Sequence, residues 1–182
     1  MIASPHFTPA DAELTRKIGI VNLHDDFPLI IAKERFEGVY DSLRRYWLPN
    51  FRAGGVNVVL GAIFTPTVYV PDGALRHACW VLDALITEVE ENRDQIEIAR
   101  SVADIGRING QGKVAVVVAF EGMEPLGQDL SVLRLFLTQS FGRRAKLSSQ
   151  ERVYCANAAV ETVMLEVFGQ KFRQAEVLRI RP

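Results

Sequence analysis

Two runs constrain this chain more than anything else in it. Val56-Asn-Val-Val-Leu-Gly-Ala-Ile-Phe64 and Lys113-Val-Ala-Val-Val-Val-Ala-Phe120 are apolar almost without a break and rich in β-branched residues. A strand with one wet face alternates apolar and polar residues. A continuous run needs cover on both faces, which is the situation of a parallel sheet between helical layers. Ile18-Gly-Ile-Val-Asn-Leu-His24 is a shorter run of the same kind, ending in the polar cluster His24-Asp25-Asp26, with Pro28 directly after. The stretches between have helical spacing. Phe36, Val39, Tyr40, Leu43, Tyr46 and Trp47 form one face of a helix over 36–51, closed by Pro49 and Gly54-Gly55. A helix over 72–93 is capped by Asp72 and carries the stripe Leu75, Cys79, Leu82, Leu85, Ile86 and Val89. A second helix follows over about 94–108, stopped by Asn109-Gly110-Gln111-Gly112, and another covers 129–140. Strands alternating with helices make βα units, so the fold class is α/β.

With 182 residues and 48% hydrophobic content the chain can bury about 70% of its unfolded surface. Disorder and fibre are excluded. The net charge of −1 gives no basic field for nucleic acid. The apolar runs fall well short of the ~20 residues that span a bilayer, so no membrane partner is expected. The start, MIASPHFTPADAELTRK, has no basic segment followed by an apolar one, and a cytoplasmic location is the expectation. Cys79 and Cys155 lack CxxC spacing and read as reduced core thiols. Charge divides the chain: 141–182 carries +4 and the first 140 residues −5. The expected organisation is therefore a βα part over 1–140 and a basic tail over 141–182, helical in part, with the stripe Val153, Ala156, Val160, Val163, Met164, Val167 and Phe168.

No glycine-rich phosphate loop follows any of the three strands. Their C-terminal ends instead carry acids and a histidine, where parallel α/β folds place their chemistry. His24 and Asp26 form an H-x-D pair. Residues i and i+2 of an extended chain point the same way, so an imidazole and a carboxylate face one point, a donor set suited to zinc. Glu121 ends the last strand. In a parallel sheet it lies on the same rim and could bridge two metals ~3.5–4 Å apart, an arrangement that activates water for hydrolysis. The bland alternative is a set of satisfied polar groups at strand ends. His77, in the helix stripe, reads as a packed or surface histidine, and 88–94 as a solvated helix face with local ion pairs.

The run Ile20-Val-Asn-Leu-His24-Asp-Asp26-Phe-Pro28 resembles the opening strand of the membrane (renal) dipeptidase family, the M19 metallopeptidases, typically DxHxDxP. Leu48-Pro-Asn-Phe-Arg-Ala-Gly54-Gly55-Val56, Gly112 to Gly122, and Asp129-Leu-Ser-Val-Leu-Arg-Leu-Phe136 resemble later segments of that family, in the same order. The resemblance implies a (β/α)8 barrel, here a partial one of about three βα units, with a binuclear zinc site that hydrolyses dipeptides. His24 and Asp26 would hold one metal, and Glu121, the catalytic carboxylate, would bridge both. Two positions depart from the pattern: Asn22 stands where the family has Asp, and Asp25 where it has Asn. The family's later ligand histidines have no counterpart, because the three histidines are His6, His24 and His77, and the resemblance fades after Phe136.

The resemblance therefore implies a zinc-dependent dipeptidase, with the expectation that this chain is truncated and impaired on its own. Its alternative is a catalytically inactive remnant that binds metal weakly or assembles with a partner. A different metallohydrolase, taking ligands from Asp104 or Glu124, is a third reading. A sheet this short leaves an open edge, so self-association is also expected.

Overall fold

The computed structural model describes residues 8–127 and 131–132. The tail over 141–182, the helix expected over 129–140 beyond its two described residues, His6 and Cys155 lie outside that range.

Four parallel strands form one sheet: β1 (Ile20–Asp25), β2 (Val56–Phe64), β3 (Ile96–Ile98) and β4 (Val114–Glu121), in the spatial order β1-β2-β4-β3. The α/β class and the three apolar strands are those the sequence specifies. The fourth strand is a correction. β3 lies inside the helix expected over 94–108, and its Ile-Glu-Ile alternation is too short to stand out from a helical pattern. It pairs with the first three residues of β4, and Ala99 N donates to Val116 O at 2.8 Å. Ser101 then caps the true helix, α5 (Val102–Gly110), its Oγ accepting from Asp104 N.

Alternate residues of β2 and β4 face opposite ways. Val59, Ile63, Val114, Val116 and Val118 pack against α2 (Phe27–Phe36), α3 (Leu48–Ala53) and α4 (Ala74–Glu91). Val58, Leu60, Ala115 and Val117 pack against Ile105 and Ile108 of α5. Both faces are thus covered, the condition that made the strands continuously apolar.

The helix expected over 36–51 starts only after residue 41: residues 37–41 are not helical, and a π turn (Leu43–Trp47) runs directly into α3. Pro28 sits in the first turn of α2, where its missing N–H would have no partner in any case. Pro49, expected to close a helix, instead lies within helical backbone that runs from Ser42 through the π turn to Ala53. The N-terminal helix α1 (Pro9–Ile18) was not foreseen. It is started by a reciprocal cap, Thr8 N to Asp11 Oδ2 at 2.8 Å and Asp11 N to Thr8 Oγ1 at 3.2 Å.

Helix α4 matches its expected span and buries Leu82, Leu85 and Val89 of its expected stripe, but Asp72 does not cap it and its first turns present other residues to the core. Ala74, His77, Ala78 and Val81 are buried, while Leu75 and Cys79 are exposed. Cys79 is therefore not a core thiol. Glu88, read as part of a solvated face, is fully buried. Its carboxylate accepts from Arg35 Nη1 at 2.8 Å, Asp41 N at 3.1 Å and Leu43 N at 3.2 Å. It holds the turn between α2 and the π turn, where Gly38 and Asp41 both have positive φ. Among the described residues no helix is long and apolar enough to cross a membrane.

Candidate metal centre

His24 lies on β1 and Glu121 ends β4, with β2 between them. Parallel neighbours are ~4.8 Å apart, so two strand spacings separate the backbones. An imidazole and a glutamate can still meet above the middle strand when both lean over it. They do: His24 Nε2 stands 3.2 Å from Glu121 Oε2 and 3.6 Å from Asp26 Oδ1. One donor atom of each of the three side chains lies within 4.8 Å of the others, and this is the group of metal-ligating side chains found together among the described residues.

The spacing fits an ion. Donors ~2.1 Å from a tetrahedral zinc sit about 3.4 Å from one another, between the two distances seen. One imidazole nitrogen with two carboxylate oxygens is also a donor set zinc accepts, with a position left over for water or substrate. The site is open to solvent. About half of each side chain is exposed, 56% for His24, 55% for Asp26 and 44% for Glu121. Without an ion these contacts are screened surface contacts of little energetic weight.

Local sequence explains the placement. β1 pairs with β2 at Asn22↔Val59 and next at Asp25↔Gly61, so β1 carries one extra residue, a bulge that contains His24. Asn22 Nδ2 donates to Asp25 Oδ2 at 2.8 Å, His24 N donates to Asn22 Oδ1 at 3.2 Å, and Phe27 N donates to Asp25 Oδ1 at 3.1 Å. The two departures from the family pattern are thus the two ends of one hydrogen bond. Burial pushes the Asp25 carboxyl above its usual range, against the downward pull of its bonds from Phe27 and Asn22. Asp25 also does the capping at the start of α2, a role the sequence did not disclose. At the other strand, Gly122 follows Glu121 with φ +87°, a conformation open to glycine, and lets the chain turn away beneath the carboxylate.

The other candidates do not join the centre. Asp104 is engaged with Ser101, the Arg100 backbone and Arg107. Glu124 belongs to a short helix (Glu124–Leu126) beyond the rim and is not among the clustered donors. His77 is the packed histidine expected. It is stacked on Tyr69 at 4.2 Å and edge-on to Trp80, and burial lowers its pKa, with Lys33 adding to the effect.

The sequence model of the membrane dipeptidase family, peptidase family M19, matches residues 10–169. The chain belongs to this family. The match runs past Phe136, where the sequence resemblance was expected to fade. A curated relative, the dipeptidase ataJ of Aspergillus terreus, is 24% identical over 175 residues, covering 85% of this chain and 41% of that protein. The fold resembles the dipeptidase AC, a metallopeptidase of family M19, with a TM-score of 0.60 and 21% identity over 68% of this chain and 40% of that one. It resembles equally a metallopeptidase from Rhodobacter sphaeroides liganded with a phosphinate mimic of the dipeptide L-Ala-D-Ala, with a TM-score of 0.60 and 19% identity over 68% and 43%. This M19 chain spans about two-fifths of the length of these relatives. Its sheet corresponds to part of a barrel.

Proposed function

We propose that His24, Asp26 and Glu121 hold zinc and that the centre serves the hydrolysis of dipeptides. The observation that carries the reading is the convergence of one imidazole and two carboxylates at the C-terminal ends of β1 and β4, at 3.2 and 3.6 Å, in a chain of a metallopeptidase family. Zinc, when bound, supplies a Lewis acid that polarises a carbonyl and lowers the pKa of water. His24 offers its Nε2 lone pair as the neutral imidazole, and the two carboxylates balance the charge of the ion. Their exposure leaves room for a small substrate from the solvent side. That a similar structure holds a dipeptide mimic supports dipeptides as the substrate class.

We also infer that this chain alone is impaired. Two ions bridged by Glu121 would need more donors than the three that converge among the described residues, so one ion is the expected stoichiometry for this centre. The alternative is an inactive remnant that keeps the metal. Hydrolysis of L-Ala-D-Ala with added zinc, compared between the natural chain and His24→Ala, separates these. Zinc-dependent turnover lost in the variant supports the dipeptidase. Zinc bound without turnover supports the remnant. No zinc bound at all refutes both.

A further inference from the structure

At the bulge in β1 two side chains take up backbone N–H groups, one inside the strand and one at the first residue of α2. Asn22 accepts from the His24 N–H, Asp25 accepts from the Phe27 N–H, and the two are joined to each other at 2.8 Å. Asn22 to Asp25 face only three residues of β2, which offsets the irregularity between Ile20 and Val21, where the extra residue is in β2. If the register of Val21↔Val58 and Asn22↔Val59 ran on without the bulge, His24 would stand opposite Gly61. Because side chains alternate, that register would turn His24 to the opposite face and carry it away from Glu121. We propose that Asn22 and Asp25 are positioning residues whose side-chain pair locks this bulge and so aims His24 and Asp26 at Glu121. The inference rests on the metal-centre reading above and adds what sets its geometry.

The hydrogen-bond pattern is reversible in a way that allows a sharp test. With Asp at 22 and Asn at 25, all three bonds survive: residue 22 still accepts from His24 N, residue 25 still accepts from Phe27 N, and the amide now donates from 25 to 22. The total charge is unchanged. Asn22→Leu, also neutral in charge, removes two of the three bonds. Zinc affinity by calorimetry, and the visible absorption of bound cobalt as a report on coordination geometry, are measured on the full chain. Far-UV circular dichroism verifies folding.

The expected result is about 10- to 100-fold weaker zinc binding and an altered cobalt spectrum in Asn22→Leu, the effect usual for a lost outer-shell partner. The double exchange, Asn22→Asp with Asp25→Asn, should return affinity to within about threefold of the natural chain, the size of ordinary non-additivity. If Asn22→Leu does not fold, Asn22→Ser, whose hydroxyl is too short to reach Asp25, takes its place. Unchanged affinity in the folded single variant overturns the proposal, and so does a double exchange as weak as the single variant. A natural chain that binds no zinc overturns the metal centre itself, an outcome distinct from equal binding by all variants.

Discussion

Replacing Glu88 with Leu should be one of the most damaging single changes outside the metal centre. Leucine nearly conserves volume, so the cost comes from polar groups rather than a cavity. Three donors converge on this buried carboxylate. Leu43 N is buried and would have no partner, which costs about 1–3 kcal/mol. Asp41 N is part-buried and can turn to water, so it adds less. Arg35 keeps Glu91 at 2.8 Å but loses its charge-assisted bond to Glu88. Removing one partner of a buried ion pair typically costs ~3–5 kcal/mol, and the sum over these groups falls in that range. For a chain of this size that lowers Tm by about 6–20 °C. Urea unfolding at pH 7, followed by circular dichroism, measures it. A loss below ~1 kcal/mol would refute the claim that Glu88 anchors the turn between α2 and the π turn.

Three other outcomes follow from the same structure. Gly61→Ala would place a methyl 3.1 Å from Pro28 Cγ and 3.2 Å from Phe27, so a loss of about 1–3 kcal/mol is expected in the same urea assay, and an unaltered midpoint would show that α2 can move aside. His77 is held below its ordinary pKa of 6.5 in the folded chain, so the unfolded chain takes up the proton first. The stability it confers is complete above about pH 6.5 and is lost as pH falls through the lowered folded value, a dependence that His77→Phe should remove; an identical pH slope in the variant would contradict it. Zinc at 100 times its Kd should add ~2.7 kcal/mol to stability, reversed by chelator and absent in His24→Ala, while an equal gain in the variant would place the ion elsewhere.

How legible these features were depended on whether their cause is local. β2 and β4 are fully specified by runs such as Val114 to Phe120, because burial on both faces leaves a mark on every residue. The strand-end positions of His24 and Glu121 followed from the same runs, and parallel pairing brought them to one rim. What the sequence hid arises from long-range partners. Glu88 looks like any exposed helix acid until Arg35 and the Leu43 amide, more than forty positions away, close around it. The true face of α4 is set by what packs on it, which is why His77 is inside and Leu75 outside. β3 exists because β4 offers it an edge, not because three residues prefer extension. The bulge at His24 was invisible for a related reason: it is a mismatch between two strands, and neither strand alone records it.

The central claim is that His24 of β1, Asp26 just after it and Glu121 of β4 share one ion. Anomalous scattering at the zinc edge, from crystals grown with zinc, tests it most directly. The account predicts a peak about 2.0–2.2 Å from His24 Nε2 and from one carboxylate oxygen each of Asp26 and Glu121. Zinc density anywhere else, or a vacant space between these three groups in zinc-soaked crystals, would contradict it.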